Sequence, residues 1–209
     1  MIRQYRGVPR HRSCRDRPSP ERQRRRFTRR RDHHADGLVQ NCQVYGSGGS
    51  GLVVSGVAIV SRSRFSSNAG SGIDLLGPRS IVEESAADGN GSGIFMRGGY
   101  AHVRDSSISE NLDFGIRTLG PANIVSGCNV HANGGRGIHV SSRDNRIEGN
   151  HVTRNIGTGI EIDILGDRAV VVRNTLAINA PNVLNTSRAS LVPVETETGT
   201  DPWANLTLF

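Results

Sequence analysis

A glycine followed by an aliphatic residue recurs at 51, 72, 93, 115, 137 and 159, at intervals of 21, 21, 22, 22 and 22 residues. A fixed period constrains the fold more than any other feature of this chain. Each repeat is one structural unit that cannot bury its apolar face alone, so successive units must stack. One residue after each glycine stand Leu52, Ile73, Ile94, Ile116, Ile138 and Ile160; three after stand Val54, Leu75, Met96, Thr118, Val140 and Ile162. Seven before come Val44, Phe65, Ala86, Ile108, Val130 and Val152; twelve before come Val60, Ile81, Val103, Val125 and Ile147. Within each short segment the inward residues are two apart, which is strand periodicity with one buried face. Helical repeats are longer and follow a 3.6-residue pattern, and leucine-rich repeats place their consensus in another frame. What remains is an all-β coil of three short strands, each pairing with its counterpart one turn on: a parallel β-helix solenoid.

Four before the glycine stand Asn68, Asn111, Asn133 and Asn155, with Ser47 and Gly89 in the other two coils. Side-chain amides stacked in this way donate and accept along a ladder, and asparagine also tolerates the left-handed backbone of a tight turn. Val171, Asn174, Leu176 and Asn179 repeat Ile147, Asn150, Val152 and Asn155 at an offset of 24, giving a seventh coil whose two extra residues fit a corner loop at 164–168. The repeats therefore span 36–181. Residues 182–209 are assigned to a C-terminal cap in which Trp203 and Phe209 cover the last rung. Nine before the glycine, Cys42 and Cys128 fall four coils apart, ~19 Å at about 4.8 Å per strand. That is too far for a disulfide, and both are expected to be core thiols; Cys14 stands apart.

Charge is distributed unevenly. Residues 1–34 hold thirteen of the 26 basic residues, all of them Arg, and three of the 19 acids. An Arg block of this kind is compatible with nucleic acid or an anionic surface, but only Phe27 interleaves it, so it lacks the stacking platforms of a single-strand binder. The alternatives are a disordered segment with too little apolar surface to fold, or an artefactual leader over 1–35. Nucleic acid is not assigned as a partner. There is no run of 18 apolar residues, so no membrane partner is expected either. The abrupt start of the repeats suggests a fragment of a longer solenoid.

The N-x-x-x-G-I frame resembles the right-handed parallel β-helix repeat proteins of the pectin-lyase-like group over about residues 38–180. The resemblance implies a right-handed solenoid and, for many members, action on or binding to polysaccharides outside the cytoplasm. It does not carry the group's catalytic motifs across. Asn174-Thr175 is followed by Leu176 where polygalacturonases have Asp, Arg146-Ile147 is followed by Glu148, and neither Gly-His-Gly nor the Asp-Pro-His-Asp of alginate epimerases is present. No carboxylate cluster marks a metal site, and neither a catalytic residue nor a cofactor is assigned.

One surface stripe is a candidate ligand site. Two after the glycine the strand turns outward, giving Asp74, Phe95, Arg117, His139 and Glu161 on successive coils, and four after the glycine come Arg97 and Asp163. Such a row offers charge-assisted hydrogen bonds and an aromatic platform to an extended sugar chain. It is equally the alternating-charge face of a solvated sheet, on which His139 would be exposed. The reading is a structural or carbohydrate-binding scaffold; the enzymatic alternative is a lyase or glycoside hydrolase acting on an acidic polysaccharide.

Overall fold

The computed structural model describes residues 37–187, 190–191, 194–196 and 201–208; the Arg-rich segment and Phe209 lie outside the described residues. Every described element is a strand, and the strands form three parallel sheets of eight, nine and seven members. The first sheet starts at Gly37–Gln40, the second at Gln43–Tyr45 and the third at Leu52–Val54, and as far as Val183–Asn185 each turn of the chain adds one strand to each in the same order. The result is a parallel β-solenoid of about seven turns.

The core is one side chain deep. Ile116, Ile138 and Ile160 stack in direct register in the third sheet, and all are fully buried. Val125 and Ile147 do the same in the first sheet, and Val130 and Val152 in the second. The repeated glycine is required by proximity, not by its backbone angle. A Cβ on Gly137 would lie 2.6 Å from the Gly159 carbonyl oxygen and 2.6 Å from Val152 Cγ1, so no larger residue fits between adjacent coils there.

The third coil departs from the frame that the glycines set. Val82 and Ala87 are buried and in register with Val103 and Ile108, whereas a fixed count back from Gly93 selects Ile81 and Ala86. The missing residue of this shorter repeat lies in the turn just before Gly93, where three positions separate Asn90 from the glycine instead of the four between Asn68 and Gly72. The same shift replaces Gly89 by Asn90 in the ladder, which then runs unbroken through Asn68, Asn90, Asn111, Asn133, Asn155 and Asn179. Each Nδ2 donates to the Oδ1 of the next at 2.8 to 3.1 Å. The left-handed residue of this corner is the one before the asparagine, among them Ser67, Glu110, Ala132 and Arg154. The asparagines are therefore placed by their amides and not by their backbone tolerance.

Val183–Asn185 continues the third sheet, Ser190–Leu191 the first and Asn205–Leu208 the second. Trp203 is exposed rather than seated on a rung, and the Arg173 guanidinium stacks 4.2 Å from its ring. Gly166 N–H donates to the Asp163 carbonyl within the loop that absorbs the two extra residues of the seventh coil. Cys128 is a buried free thiol whose pKa burial pushes up to about 12. Cys42 is in a disulfide, so the expectation of a core thiol fails there.

Candidate functional site

The third sheet carries the outward row in the expected order: Asp74 pairs in register with Phe95, Phe95 with Arg117, Arg117 with His139, and His139 with Glu161. Arg97 and Asp163 follow their strands at the adjoining corner, and the face brings all seven residues together. Arg97 Nε binds both Asp74 oxygens, at 2.9 and 3.2 Å, while its guanidinium lies 4.4 Å from the Phe95 ring.

Two residues outside the row complete it. Phe114 and Arg136 immediately precede their repeat glycines, a column otherwise occupied by Ser50, Ser71, Ser92 and Thr158. The change from small to large side chains in two adjacent coils was the available signal. Arg136 pairs with Glu161. Phe114 lies edge-on to Phe95 with centroids 6.2 Å apart, and its ring is 5.6 Å from the His139 imidazole. Arg117 stands between the two phenyl rings, 5.7 Å from Phe95 and 5.0 Å from Phe114. Arg97, Phe95, Arg117, Phe114 and Arg136 thus alternate cation and ring along the solenoid axis, an arrangement favoured by the quadrupole of each ring. Among the described residues Arg117 has no carboxylate partner, and its Nε is buried without an acceptor.

Contrary to the expectation of a solvated side chain, His139 is 6 % exposed. Alternation does turn it out of the core, but Phe114 covers it, and strand periodicity cannot register a cover supplied by the neighbouring turn. Its Nε2 lies 3.2 Å from Asp163 Oδ2, 3.0 Å from Ser141 Oγ and 3.8 Å from Glu161 Oε1. A carboxylate only accepts, so this geometry assigns the proton of the neutral ring to Nε2. Nδ1 is buried and has no hydrogen-bond partner among the described residues. Burial, followed by Arg136 and Arg117, pushes the His139 pKa below its ordinary value, against Glu161 and Asp163.

His139→Ala is therefore expected to lower stability by about 1–3 kcal/mol, well beyond a surface substitution. The sign of the pH dependence also follows. A histidine whose pKa is depressed by folding contributes stability above its unfolded pKa, and this is lost as the pH falls through the folded value, because the unfolded chain binds the proton more readily. Denaturant titrations of both proteins across pH 7.5 to 5 should show a steeper loss in the wild type.

The fold and this face define a class: a parallel β-solenoid with a built aromatic and charged row on one sheet. The chain belongs to the right-handed β-helix region family, whose model matches residues 32–188. No curated protein matches it. Among solved structures, the A-module of the mannuronan C-5 epimerase AlgE4 from Azotobacter vinelandii superposes with a TM-score of 0.55 at 12% identity, over 74% of this chain and 55% of that one. The periplasmic alginate epimerase AlgG superposes with a TM-score of 0.53 at 18% identity, over 79% and 43% of the two chains. The chain thus spans about half the length of these structures, and at such identities the likeness concerns the fold.

Proposed function

We propose that this protein is a non-catalytic scaffold that binds a polysaccharide along the outer face of its third sheet. The observation that carries the reading is Arg117, a guanidinium without a carboxylate partner held between the Phe95 and Phe114 rings. A sugar chain offers what this position lacks, an oxygen acceptor for the guanidinium N–H of Arg117. Arg97 and Arg136 are already neutralised by Asp74 and Glu161. The face therefore suits a chain with spaced carboxylates better than a dense polyanion. The two structural neighbours are named as epimerases of alginate or mannuronan, which makes uronate oligosaccharides the first probes; one of them is named as periplasmic, which supports the expectation of a setting outside the cytoplasm.

With alginate oligosaccharides in titration calorimetry, Arg117→Ala should weaken binding about tenfold, and added salt should weaken wild-type binding. Equal affinity in wild type and variant, or no binding by the wild type, overturns the reading. A second reading, a lyase or hydrolase of acidic polysaccharide, draws on the contact of His139 Nε2 with Asp163, which orients the imidazole as an acid–base group is oriented. New reducing ends or unsaturated products on incubation with the polymer would replace the scaffold reading by this one.

A further inference from the structure

Two buried polar atoms on neighbouring strands of the third sheet have no hydrogen-bond partner among the described residues, and they are complementary. Arg117 and His139 are paired in register. Arg117 Nε is a donor and lacks an acceptor; His139 Nδ1, with the ring proton on Nε2, is an acceptor and lacks a donor. The Phe114 ring neighbours both, 5.0 Å from the guanidinium and 5.6 Å from the imidazole. A buried polar group without a partner is costly, so each of the two atoms calls for one. An ion does not satisfy this pair: an anion would leave Nδ1 facing a second acceptor, and a cation would face Arg117. A hydroxyl satisfies both, accepting from Arg117 Nε–H through oxygen and donating its own proton to His139 Nδ1.

We propose that Arg117 and His139 form a hydroxyl-reading subsite, which takes one sugar hydroxyl beneath the edge of Phe114 and depends on His139 being neutral. The inference rests on the polysaccharide reading above and specifies how that site selects its ligand. The device is Asp163. Its carboxylate lies 3.2 Å from His139 Nε2, where it favours a proton on that nitrogen, and it accepts from the backbone N–H of Leu165 at 2.8 Å, so it is fixed by the corner loop while it biases the tautomer. Arg117 lies on the strand before His139, Glu161 on the strand after, Ser141 follows on the same chain segment, and Phe114 and Arg136 come from the turns. Protonation turns Nδ1 into a donor. The imidazolium then faces Arg117 donor to donor and cation to cation, and the hydroxyl loses its acceptor.

This sets the subsite against simple charge attraction. If carboxylates alone were recognised, acidification through the titration of His139 would add a positive charge and tighten binding. If a hydroxyl is read, the same acidification weakens binding, below the ordinary pKa of histidine because burial, Arg136 and Arg117 depress that of His139. The test is calorimetry from pH 7.5 to 5 with an alginate oligosaccharide and its carboxyl-reduced, uncharged form, together with nitrogen-15 spectra of the His139 ring in the free protein. The expected results are an Nε2–H tautomer and a loss of affinity of about tenfold on acidification for both oligosaccharides. His139→Gln should bind weakly at every pH and lose the dependence. An Nδ1–H tautomer overturns the inference. Affinity that rises or stays level on acidification also overturns it, the level case showing that the pair is satisfied by water alone; in all of these the polysaccharide reading stands. No binding of either oligosaccharide at any pH overturns both.

Discussion

Ile138→Asp is expected to abolish cooperative folding at neutral pH. Ile138 is fully buried and stacks between Ile116 and Ile160 in a core with no second layer of side chains. A carboxylate there meets the Ile and Val side chains of the neighbouring coils. An isolated buried charge costs far more than the few kcal/mol that a domain has to spare, so the side chain must take up a proton or the coil must open. Because each coil touches only the next, the lesion splits the solenoid into two halves that no longer share a core. Circular dichroism during heating should show no transition, or one displaced by well over 10 °C. The contrast is Arg117→Ala, one residue after Ile116, the partner of Ile138 on the facing strand, but pointing outward, which should leave the transition nearly in place. An unchanged melting curve for Ile138→Asp would mean that the whole inward column is misassigned.

Much of this architecture was legible because a solenoid turns a three-dimensional question into a one-dimensional one: residues a fixed number apart are neighbours in space. The columns through Ile116, Ile138 and Ile160 and through Phe95, Arg117, His139 and Glu161 follow directly from the glycine spacing. Fixed counting fails where a turn changes length. Asn90, Val82 and Ala87 are displaced by one from the frame because the shortened turn lies C-terminal to them. Local chemistry could have located it, since Asn90 is the only asparagine near the vacant ladder position and Gly89 is not an amide. The candidate site was half legible for a related reason. Periodicity reports which way a residue points and not what covers it. Phe114 and Arg136 sit in the turn column, outside the strands, yet they decide that His139 is buried and that Glu161 is paired.

Asn133→Asp is the sharper test of what holds the coils in register, because it changes polarity at nearly constant shape. Asn133 is fully buried; its Oδ1 accepts from Asn111 N–H and Nδ2 at 3.1 and 2.9 Å, and its Nδ2 donates to Asn155 Oδ1 at 2.8 Å. An aspartate keeps the accepting side of these contacts. On the other side it sets a carboxylate oxygen against the Asn155 carbonyl oxygen, acceptor against acceptor, and places a charge in the ladder. The expected loss at pH 7 is about 3–5 kcal/mol, the cost of a broken buried network with an uncompensated charge. Burial and the facing oxygen raise the carboxyl pKa in the folded state above its unfolded value. The penalty is therefore present at neutral pH and is relieved as the pH falls through the raised folded value, being lifted fully only below the unfolded one. Once protonated, the carboxyl can donate to Asn155 and restore the missing bond. Denaturant titrations of variant and wild type should accordingly converge on acidification. A constant difference at all pH values would assign the loss to packing and remove the amide ladder from the forces that set the register.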